Sequence, residues 1–270
     1  MRRIIHISDL HFGTEESDIV EGLLEDIARH PAHLLAVSGD LTQRARRGQF
    51  SAAKAFLNRI ALPKLIVPGN HDIPLYNVLA RFGWPLHGYR RWVADDLLPR
   101  FQDGEIAVAG VNTARSNRWK DGRISAEQIE GLRQHFSAQP AGVSKVLIAH
   151  HPFIPPEKDA RATLVEGTAA ALRVLEACGC HLILAGHLHL AYVGDVRPHH
   201  VEIKRSILVV QAGTATSHRR RDEPNAYNIL TLDGPRLSID VRAWNGQRFV
   251  STGVSEYQYD ESGWISAGLS

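Results

Sequence analysis

Short apolar runs alternate with amphipathic segments along most of the chain. The apolar runs are typical of buried strands and the segments with apolar residues at helical spacing are typical of helices. The order strand, helix, strand, helix, strand at the start predicts parallel strands joined by right-handed crossovers. Strands are predicted at residues 3–8, 34–38, 64–67, 106–111, 145–149 and 181–185, and helices at 17–30, 49–60, 125–136 and 168–177.

Beyond residue 190 the helical periodicity stops. Residues 207–211, 227–232 and 237–243 are predicted to be antiparallel strands, with a turn at Asp233-Gly234 between the last two. The whole pattern predicts an α/β fold in which two mixed β-sheets are sandwiched between helices. No repeat or low-complexity tract divides the chain, so residues 1–270 are interpreted as a single domain.

Residues 73–104 depart from this regular pattern and are interpreted as an insertion. There are two interpretations: a helical excursion that packs its aromatic side chains on the domain, or a lid whose arginines meet a phosphate. The pattern alone leaves both open. The segment interleaves six aromatic residues with four arginines, namely Tyr76, Phe82, Trp84, Tyr89, Trp92 and Phe101 with Arg81, Arg90, Arg91 and Arg100.

Composition excludes several classes of function. A formal net charge of +2 is too small to predict binding to a nucleic acid polymer or to a membrane surface. No apolar stretch approaches the roughly eighteen residues of a membrane span, and His6, Ser8 and Asp9 interrupt the first apolar run, so no signal peptide is predicted. The two cysteines, Cys178 and Cys180, make an incomplete zinc site and are expected to be reduced, which favours a cytoplasmic location.

Five strand ends carry residues that bind divalent metals. In open α/β sheets ligands bind at the carboxyl ends of the strands, so these side chains are expected to converge. Each motif alone has a simpler explanation, since a strand-end aspartate caps a helix and a single histidine is satisfied by hydrogen bonds. The five are Asp9-Leu10-His11, Gly39-Asp40, Gly69-Asn70-His71-Asp72, His150-His151-Pro152 and Gly186-His187-Leu188-His189.

Carboxylate, imidazole and amide groups without thiolate suit borderline divalent ions such as Mn, Fe, Zn or Co. Seven such side chains are enough for two ions if one carboxylate bridges them and water completes the coordination. Paired ions of this kind hold the attacking and leaving oxygens of a displacement at phosphorus. In the third motif, Gly69 and the flanking prolines, Pro68 and Pro74, are expected to make a sharp turn outside any helix.

The order of the five motifs resembles the calcineurin-like metallophosphoesterase family, over residues 9–189. Within it, Ser8-Asp9-Leu10-His11-Phe12 and the chain length are similar to the bacterial class III cyclic-nucleotide phosphodiesterases. The resemblance implies two divalent metal ions: Asp9, His11 and His189 hold the first, Asp40 bridges, and Asn70, His150 and His187 hold the second. It chooses His150 over His151 because the family's histidine stands two residues before the proline.

The resemblance also implies a mechanism and a substrate class. A hydroxide that bridges the metals attacks phosphorus, and His71 faces the substrate as proton donor or charge stabiliser. The expected substrate is a small phosphate diester, with 3′,5′-cyclic AMP or a related cyclic nucleotide as first candidate. One alternative is a phospholipid or nucleotide-sugar pyrophosphate hydrolase, although the lipid-A-type relatives tend to carry Arg in place of His71. The other is a non-catalytic scaffold, as in a retromer subunit; scaffold relatives lose ligands that this chain keeps.

Gln43, three residues after the bridging Asp40, departs from the family. The purple acid phosphatases have a metal-bound tyrosine there, so a coloured iron–tyrosinate centre is not expected. Several relatives have an aspartate that orients the catalytic histidine. Gln43 cannot supply that charge, so either His71 is a weaker acid than in those relatives or Asp72 substitutes for the missing aspartate, and the sequence leaves both open. His71 and Asp72 are the candidate catalytic residues.

Two further groups of polar residues follow strand ends. The loop Arg219-Arg220-Arg221 either holds a phosphate or is a solvated loop, and Asn112 and Arg115 leave the same two alternatives. The sequence leaves the oligomeric state open, a dimer included.

Overall fold

The structure is a computed structural model that describes residues 1–220 and 223–269. Most predicted elements are present, with ends that differ by one or two residues from the prediction. In chain order the elements are β1 (Arg2–Ile7), α1 (Ser17–Arg29), β2 (Leu34–Ser38), α2 (Arg47–Asn58), β3 (Lys64–Val67), α3 (Val78–Gly83), α4 (His87–Trp92), β4 (Arg100–Gln102), β5 (Ile106–Gly110), α5 (Ala126–Ser137), β6 (Ser144–Ile148), α6 (Thr168–Ala177), β7 (Leu182–Ala185), β8 (Tyr192–Asp195), β9 (Leu208–Gln211), β10 (Ala226–Asp233), β11 (Arg236–Trp244), β12 (Phe249–Asp260) and β13 (Gly263–Leu269).

The strands form two mixed sheets, as predicted. The first has the order β13-β12-β11-β10-β1-β2-β3, with β1, β2 and β3 parallel and β10 to β13 antiparallel. The second has the order β4-β5-β6-β7-β9-β8, with β5, β6, β7 and β9 parallel and an antiparallel strand at each edge. Helices cover both outer faces, so the α/β sandwich is confirmed.

The predicted antiparallel direction of the strand at residues 207–211 was wrong with respect to β7. These residues form β9, which runs parallel to β7 with Leu182 opposite Leu208, and antiparallel only to the edge strand β8. Apolar periodicity reports burial and carries no information on strand direction. The short or half-exposed strands β4, β8, β12 and β13 were missed because their patterns lack a continuous apolar run.

Three apolar clusters hold the layers together. The central one lies between the sheets, where Ile4, Val67, Ile148 and Leu184 are fully buried. The second packs α1 and α2 on the first sheet, and the third packs α5 and α6 on the second. The parallel strands are therefore buried on both faces, which explains why they read as continuous apolar runs.

The two sheets meet at the carboxyl ends of their parallel strands. The main-chain N–H of Asp9, after β1, donates to the carbonyl of Gly39, after β2, at 3.1 Å. Between the sheets, the Nδ1 of His150 lies 2.7 Å from the carbonyl of Ser38, and the main-chain N–H of His187 donates to Oδ2 of Asp9 at 2.9 Å. The predicted strand-end motifs are thus adjacent in space.

The segment 73–104 contains α3, α4 and β4 and shows features of both interpretations. Tyr89 is fully buried and its hydroxyl donates to the carbonyl of Ile66 at 2.8 Å, so α4 is packed on the domain. By contrast, the side chains of Tyr76, Phe82 and Trp84 are 74%, 60% and 70% exposed. The lid therefore stays a prediction.

Two expectations from composition can be compared with the structure. Within residues 1–220 and 223–269 no helix combines the length and the apolar character needed to cross a membrane. Cys178 and Cys180 are free and buried, as expected of reduced thiols.

Candidate metal centre

The seven predicted ligand side chains converge on one site. On one side, Nε2 of His189 lies 3.2 Å from Oδ1 of Asp9 and 3.1 Å from Nε2 of His11. On the other, Oδ1 of Asn70 lies 3.1 Å from Nε2 of His150 and 3.1 Å from Nδ1 of His187. These are two groups of donor atoms at the spacing of atoms that share a cation.

Asp40 lies between the two groups. Its Oδ2 is 3.7 Å from Nε2 of His11 and 3.4 Å from Nε2 of His150. Its Oδ1 accepts a hydrogen bond from the main-chain N–H of His71 at 2.8 Å, which fixes the carboxylate plane. The carboxylate of Asp40 is therefore within reach of both donor groups.

Hydrogen bonds at the far side of the rings orient two of the histidines. Nδ1 of His150 lies 2.7 Å from the carbonyl of Ser38, and Nδ1 of His189 lies 2.6 Å from the carbonyl of Arg219. A carbonyl can only accept, so it holds Nδ1–H on the far side of each ring and turns Nε2 towards the site. Metal-ligating histidines are held in this way by a main-chain or carboxylate acceptor.

Charge and burial show that this donor set suits a cation. Oδ1 of Asp9 is fully buried and has no hydrogen-bond partner in the described structure. Burial lowers the pKa of His150, but the carboxylate of Asp40 outweighs it and raises that pKa to about 9. Burial would raise the pKa of Asp40, yet His150 and His71 hold it well below its ordinary value. The buried carboxylates thus attract positive charge, which divalent ions would supply.

The backbone of the site is strained in a way that supports a functional role. Six non-glycine residues of the described chain have a positive φ, and five of them are predicted ligands with φ between 48° and 76°. Such conformations cost of order 1–3 kcal/mol each and persist where the surroundings enforce them. The five are Asp9, His11, Asp40, His187 and His189.

Two glycines next to the predicted ligands allow neighbouring loops to pack closely against each other. A Cβ atom on Gly69 would lie 2.1 Å from Oδ1 of Asp40, and one on Gly186 would lie 1.8 Å from Oγ of Ser8. Gly69 has a φ of −103°, so the sharp turn expected at this residue is not the reason for a glycine. Its lack of a side chain is what lets the third motif lie against the bridging carboxylate.

His71 lies beside the ligands, with its ring centroid 4.9 Å from that of His11. Nδ1 of His71 is 2.9 Å from the carbonyl of Gln43 and 3.1 Å from Nη1 of Arg44. Nε2 is 3.1 Å from Nη1 of Arg219. A ring nitrogen of His71 also lies within 4.8 Å of ligand atoms of His11 and Asp40, so it reaches the edge of the site.

Comparison with known proteins agrees with this geometry. Residues 2–191 match the calcineurin-like phosphoesterase family. The chain belongs to that family. A curated relative named "Probable cyclic nucleotide phosphodiesterase", from Vesicomyosocius okutanii, is 24% identical over 250 residues, which are 88% of this chain and 97% of the relative.

Solved structures show the same fold. The purple acid phosphatase from yellow lupin has a TM-score of 0.73 at 12% identity, over 93% of this chain and 52% of that one. A dimetal phosphatase from Danio rerio has a TM-score of 0.66 at 13% identity, over 93% and 98% of the two chains. As a member of the calcineurin-like phosphoesterase family, the chain is a metal-dependent phosphoester hydrolase.

Within this phosphoesterase fold, Asp72 has other partners than its expected one. Its carboxylate is fully buried and accepts from the main-chain N–H groups of Gly69, Leu41 and Thr42 at 3.0, 3.2 and 2.9 Å, and from the Thr42 hydroxyl at 3.0 Å. The group that contacts Nδ1 of His71 is the main-chain carbonyl of Gln43, not the carboxylate of Asp72. These contacts tie two strand-end loops together, and the catalytic role of Asp72 stays a prediction.

His151 is adjacent to the ligands but is occupied. Its Nδ1 lies 2.7 Å from Oγ1 of Thr113 and its Nε2 lies 3.0 Å from the carbonyl of Lys120. Burial lowers its pKa well below the ordinary value, so the ring is neutral. With both nitrogens in hydrogen bonds to protein, the geometry favours His150 as the ligand.

Two arginines reach the site that the sequence did not single out individually. Arg219 is half-buried, and its Nη1 contacts both His71 and Oε1 of Gln43, so this part of the loop is not simply solvated. Arg44 directly follows Gln43, and its Nη1 reaches the ring of His71. The arginine-rich run 44–47 is the sequence signal that could have indicated a basic wall beside the site. Arg220 forms an ion pair with Glu16, and Arg221 lies outside the described residues.

The other pair of candidates is held by local contacts. The amide oxygen of Asn112 accepts from the main-chain N–H of Ala114 at 2.9 Å. Arg115 donates to the carbonyls of Asn112 and Ala114 and to Oε1 of Gln128. Both side chains stabilise the loop that precedes α5.

Proposed function

We propose that the protein is a dinuclear-metal phosphodiesterase that hydrolyses a small phosphate diester, with 3′,5′-cyclic AMP or a related cyclic nucleotide as first candidate. The observation that carries the proposal is the convergence of two donor groups on the carboxylate of Asp40. The printed name of the Vesicomyosocius relative supports the choice of substrate class.

The residues divide between two ions. Asp9, His11 and His189 would hold one ion, and Asn70, His150 and His187 would hold the other, with Asp40 shared. Two bound divalent ions, of Mn, Fe, Zn or Co, would activate water and neutralise charge on the phosphoryl oxygens. Ser38 and Arg219 keep Nε2 of His150 and His189 facing the ions through their carbonyls.

His71 acts on the substrate. With Nδ1–H donated to the carbonyl of Gln43, Nε2 faces the site beside Arg219. In its protonated form Nε2–H donates a proton to the leaving oxygen, or else it stabilises charge on the phosphoryl group together with the guanidinium. Asp72 holds the Gly69 loop against Leu41 and Thr42, which keeps His71 in this position.

The complete donor set supports catalysis over the scaffold alternative. A scaffold has no need for five strained residues around two buried carboxylates. The cytoplasmic location, the single-domain organisation, the identity of the metals and the oligomeric state stay predictions.

Asp40→Ala tests the proposal. Removing the shared anion leaves both donor groups without their link, so the variant is expected to lose bound metal and diesterase activity together. Metal content is measured by elemental analysis after loading with Mn²⁺. Activity is assayed on cyclic AMP, linear dinucleotides and p-nitrophenyl esters. The matched control is Asp233→Ala, an exposed carboxylate at the β10–β11 turn. Near-wild-type turnover with two bound ions in Asp40→Ala would falsify the two-metal assignment.

A further inference from the structure

A cavity of about 850 Å³ opens beside His71, within the size range of small-molecule sites. One wall is the start of α2 and the loop before it, including Arg44, and the other is formed by α3 and α4. Arg44 belongs to both places, because it lines the cavity and its Nη1 lies 3.1 Å from Nδ1 of His71. A group bound in the cavity would therefore be continuous with a group bound at the metal centre.

We propose that this cavity binds the leaving alcohol of the diester, and that this alcohol carries an aromatic ring and a second negatively charged group such as a phosphate. The inference rests on the proposed hydrolysis of a small phosphate diester, because it takes the His71 side of the site as the leaving-group side. Within that class it prefers a linear dinucleotide to the cyclic nucleotide named above. A nucleoside 5′-monophosphate that leaves through its 3′-oxygen has both features.

The charges of the cavity call for an anion. Four arginines line it, Arg44, Arg46, Arg47 and Arg91, and the lining contains no aspartate or glutamate. Within residues 1–220 and 223–269 none of the four forms an ion pair, whereas the neighbouring Arg90 lies 3.8 Å from Asp95. Like charges that face the same cavity repel each other, and a bound anion would relieve that repulsion.

The aromatic side chains supply a surface for a ring. Tyr76 and Trp84 line the cavity although their side chains are 74% and 70% exposed, so large apolar faces are left uncovered. The guanidinium carbon of Arg44 lies 5.7 Å from the ring centroid of Tyr76, and that of Arg47 lies 5.8 Å from that of Trp92. Planar cations stacked on aromatic rings favour a flat, π-bonded ligand.

The charge count separates substrate classes. A 3′,5′-cyclic mononucleotide carries a single negative charge, on the phosphoryl group that is attacked, and would leave the arginines without a partner. A linear diadenylate with a 5′-terminal phosphate (pApA) places a second phosphate and a base in the cavity. In its hydrolysis the oxygen of water bonds to phosphorus, the bond from phosphorus to the 3′-oxygen breaks, and that oxygen takes a proton, giving two molecules of adenosine 5′-monophosphate.

Two other occupants are less consistent with this surface. A second copy of the chain packed about a two-fold axis would bring the arginines of one copy towards those of the other. An anionic lipid surface would suit the exposed Leu79 and Phe82, which do not line the cavity, but it does not require a concave wall next to His71. The lipid surface is therefore an outcome of the test.

The kinetic experiment compares kcat/KM for pApA, for ApA without the 5′-phosphate, and for bis-p-nitrophenyl phosphate, with Mn²⁺ present. The wild-type protein is expected to have a kcat/KM for pApA that is about tenfold or more above that for ApA. A factor of ten corresponds to about 1.4 kcal/mol of transition-state binding. Arg91→Gln and Arg47→Gln are expected to lose about tenfold more on pApA than on bis-p-nitrophenyl phosphate. The matched control is Arg90→Gln, since Arg90 is exposed like Arg91 but lies outside the cavity lining.

A binding experiment separates this inference from the proposed function. In the full chain treated with EDTA, adenosine 5′-monophosphate is expected to quench the fluorescence of Trp84 and Trp92, adenosine to quench it much less, and Arg91→Gln to weaken the effect about tenfold. This holds even if no diester is hydrolysed. Equal rates on pApA and ApA, equal losses in Arg90→Gln and Arg91→Gln, or no quenching would each overturn the proposal. So would binding to phosphatidylglycerol vesicles that depends on Arg91 while adenosine 5′-monophosphate fails to bind.

Discussion

Truncation of His71 separates proton donation from charge stabilisation. A general acid contributes about 10²–10⁴-fold, and its value depends on how strongly the leaving oxygen needs a proton. The 3′-alkoxide of a ribose needs one, whereas p-nitrophenolate is a weak base and hardly does. If His71 donates the proton, His71→Ala should lose about 10²–10⁴-fold in kcat on a nucleotide diester, or about 3–5 kcal/mol of transition-state stabilisation. It should lose far less on bis-p-nitrophenyl phosphate.

The structure indicates that this variant keeps the conformation of its loop. The main-chain N–H of His71 donates to Asp40 at 2.8 Å, and its carbonyl accepts from the Thr42 hydroxyl at 3.1 Å. Both bonds survive truncation to alanine, as do those of the neighbouring Asp72. What the variant loses is the ring, with its contacts to the Gln43 carbonyl and to Arg219.

The assay measures kcat on both substrates with saturating Mn²⁺, together with the metal content of the variant. His218→Ala is the matched control, because His218 is an exposed histidine on the loop that carries Arg219. Equal losses on the two substrates would refute proton donation and leave stabilisation of phosphoryl charge. Loss of the metals would show that His71 is itself a ligand. A ring nitrogen of His71 is close enough for that role, because it lies within 4.8 Å of ligand atoms of His11 and Asp40.

Two further predictions concern metal affinity and stability. Asn70→Ala removes one neutral ligand, so it should weaken binding of one ion, and excess Mn²⁺ should partly restore activity; failure of any Mn²⁺ concentration to do so would count against a ligand role. Asp26→Asn should lower the free energy of unfolding at pH 7 by about 3 kcal/mol, because Oδ1 and Oδ2 of Asp26 meet Arg242 at 3.0 and 2.5 Å. Burial would raise the pKa of Asp26, but Arg242 and Tyr227 hold it below its ordinary value, so this stabilisation is present above about pH 4 and is lost as the pH falls through the lowered pKa. Denaturant titrations of both proteins from pH 7 to pH 2 check this, and a gap that does not narrow as the pH falls below about 4 would contradict it.

The sequence allowed the ligand positions to be predicted because parallel strands impose a simple rule. A buried strand reads as an apolar run, and the residue after the run must lie at the carboxyl edge of its sheet. Asp9, Asp40, Asn70, His150 and His187 all follow such runs, and the structure brings them together. The convergence of these side chains could therefore be predicted from the sequence, whereas their role as metal ligands stays a prediction.

Contacts made by loops could not be predicted in this way. The link between Arg219 and His71 joins residues 148 positions apart, and no periodicity relates them. The contact between Gln43 and His71 could not be predicted either. It is made by the main-chain carbonyl of Gln43, whereas a sequence comparison considers only the side chain. A main-chain acceptor leaves no trace in residue type, so the sequence offers only the side chain of Asp72 as a candidate for the orienting role.

The metal centre conflicts with the local preferences of the chain, and this conflict is itself informative. Asp9, His11 and Asp40 are non-glycine residues held at positive φ, and Nε2 of His11 lies 3.6 and 3.7 Å from the carboxylate oxygens of Asp9 and Asp40. Local propensity opposes these features, so the surrounding fold must maintain them. Three hydrogen bonds that Asp72 accepts from Leu41 and Thr42 supply part of that constraint, because they tie the third motif to the loop after β2. Strand patterns predict where these side chains stand, whereas the strain shows that the tertiary fold, against local propensity, holds them there.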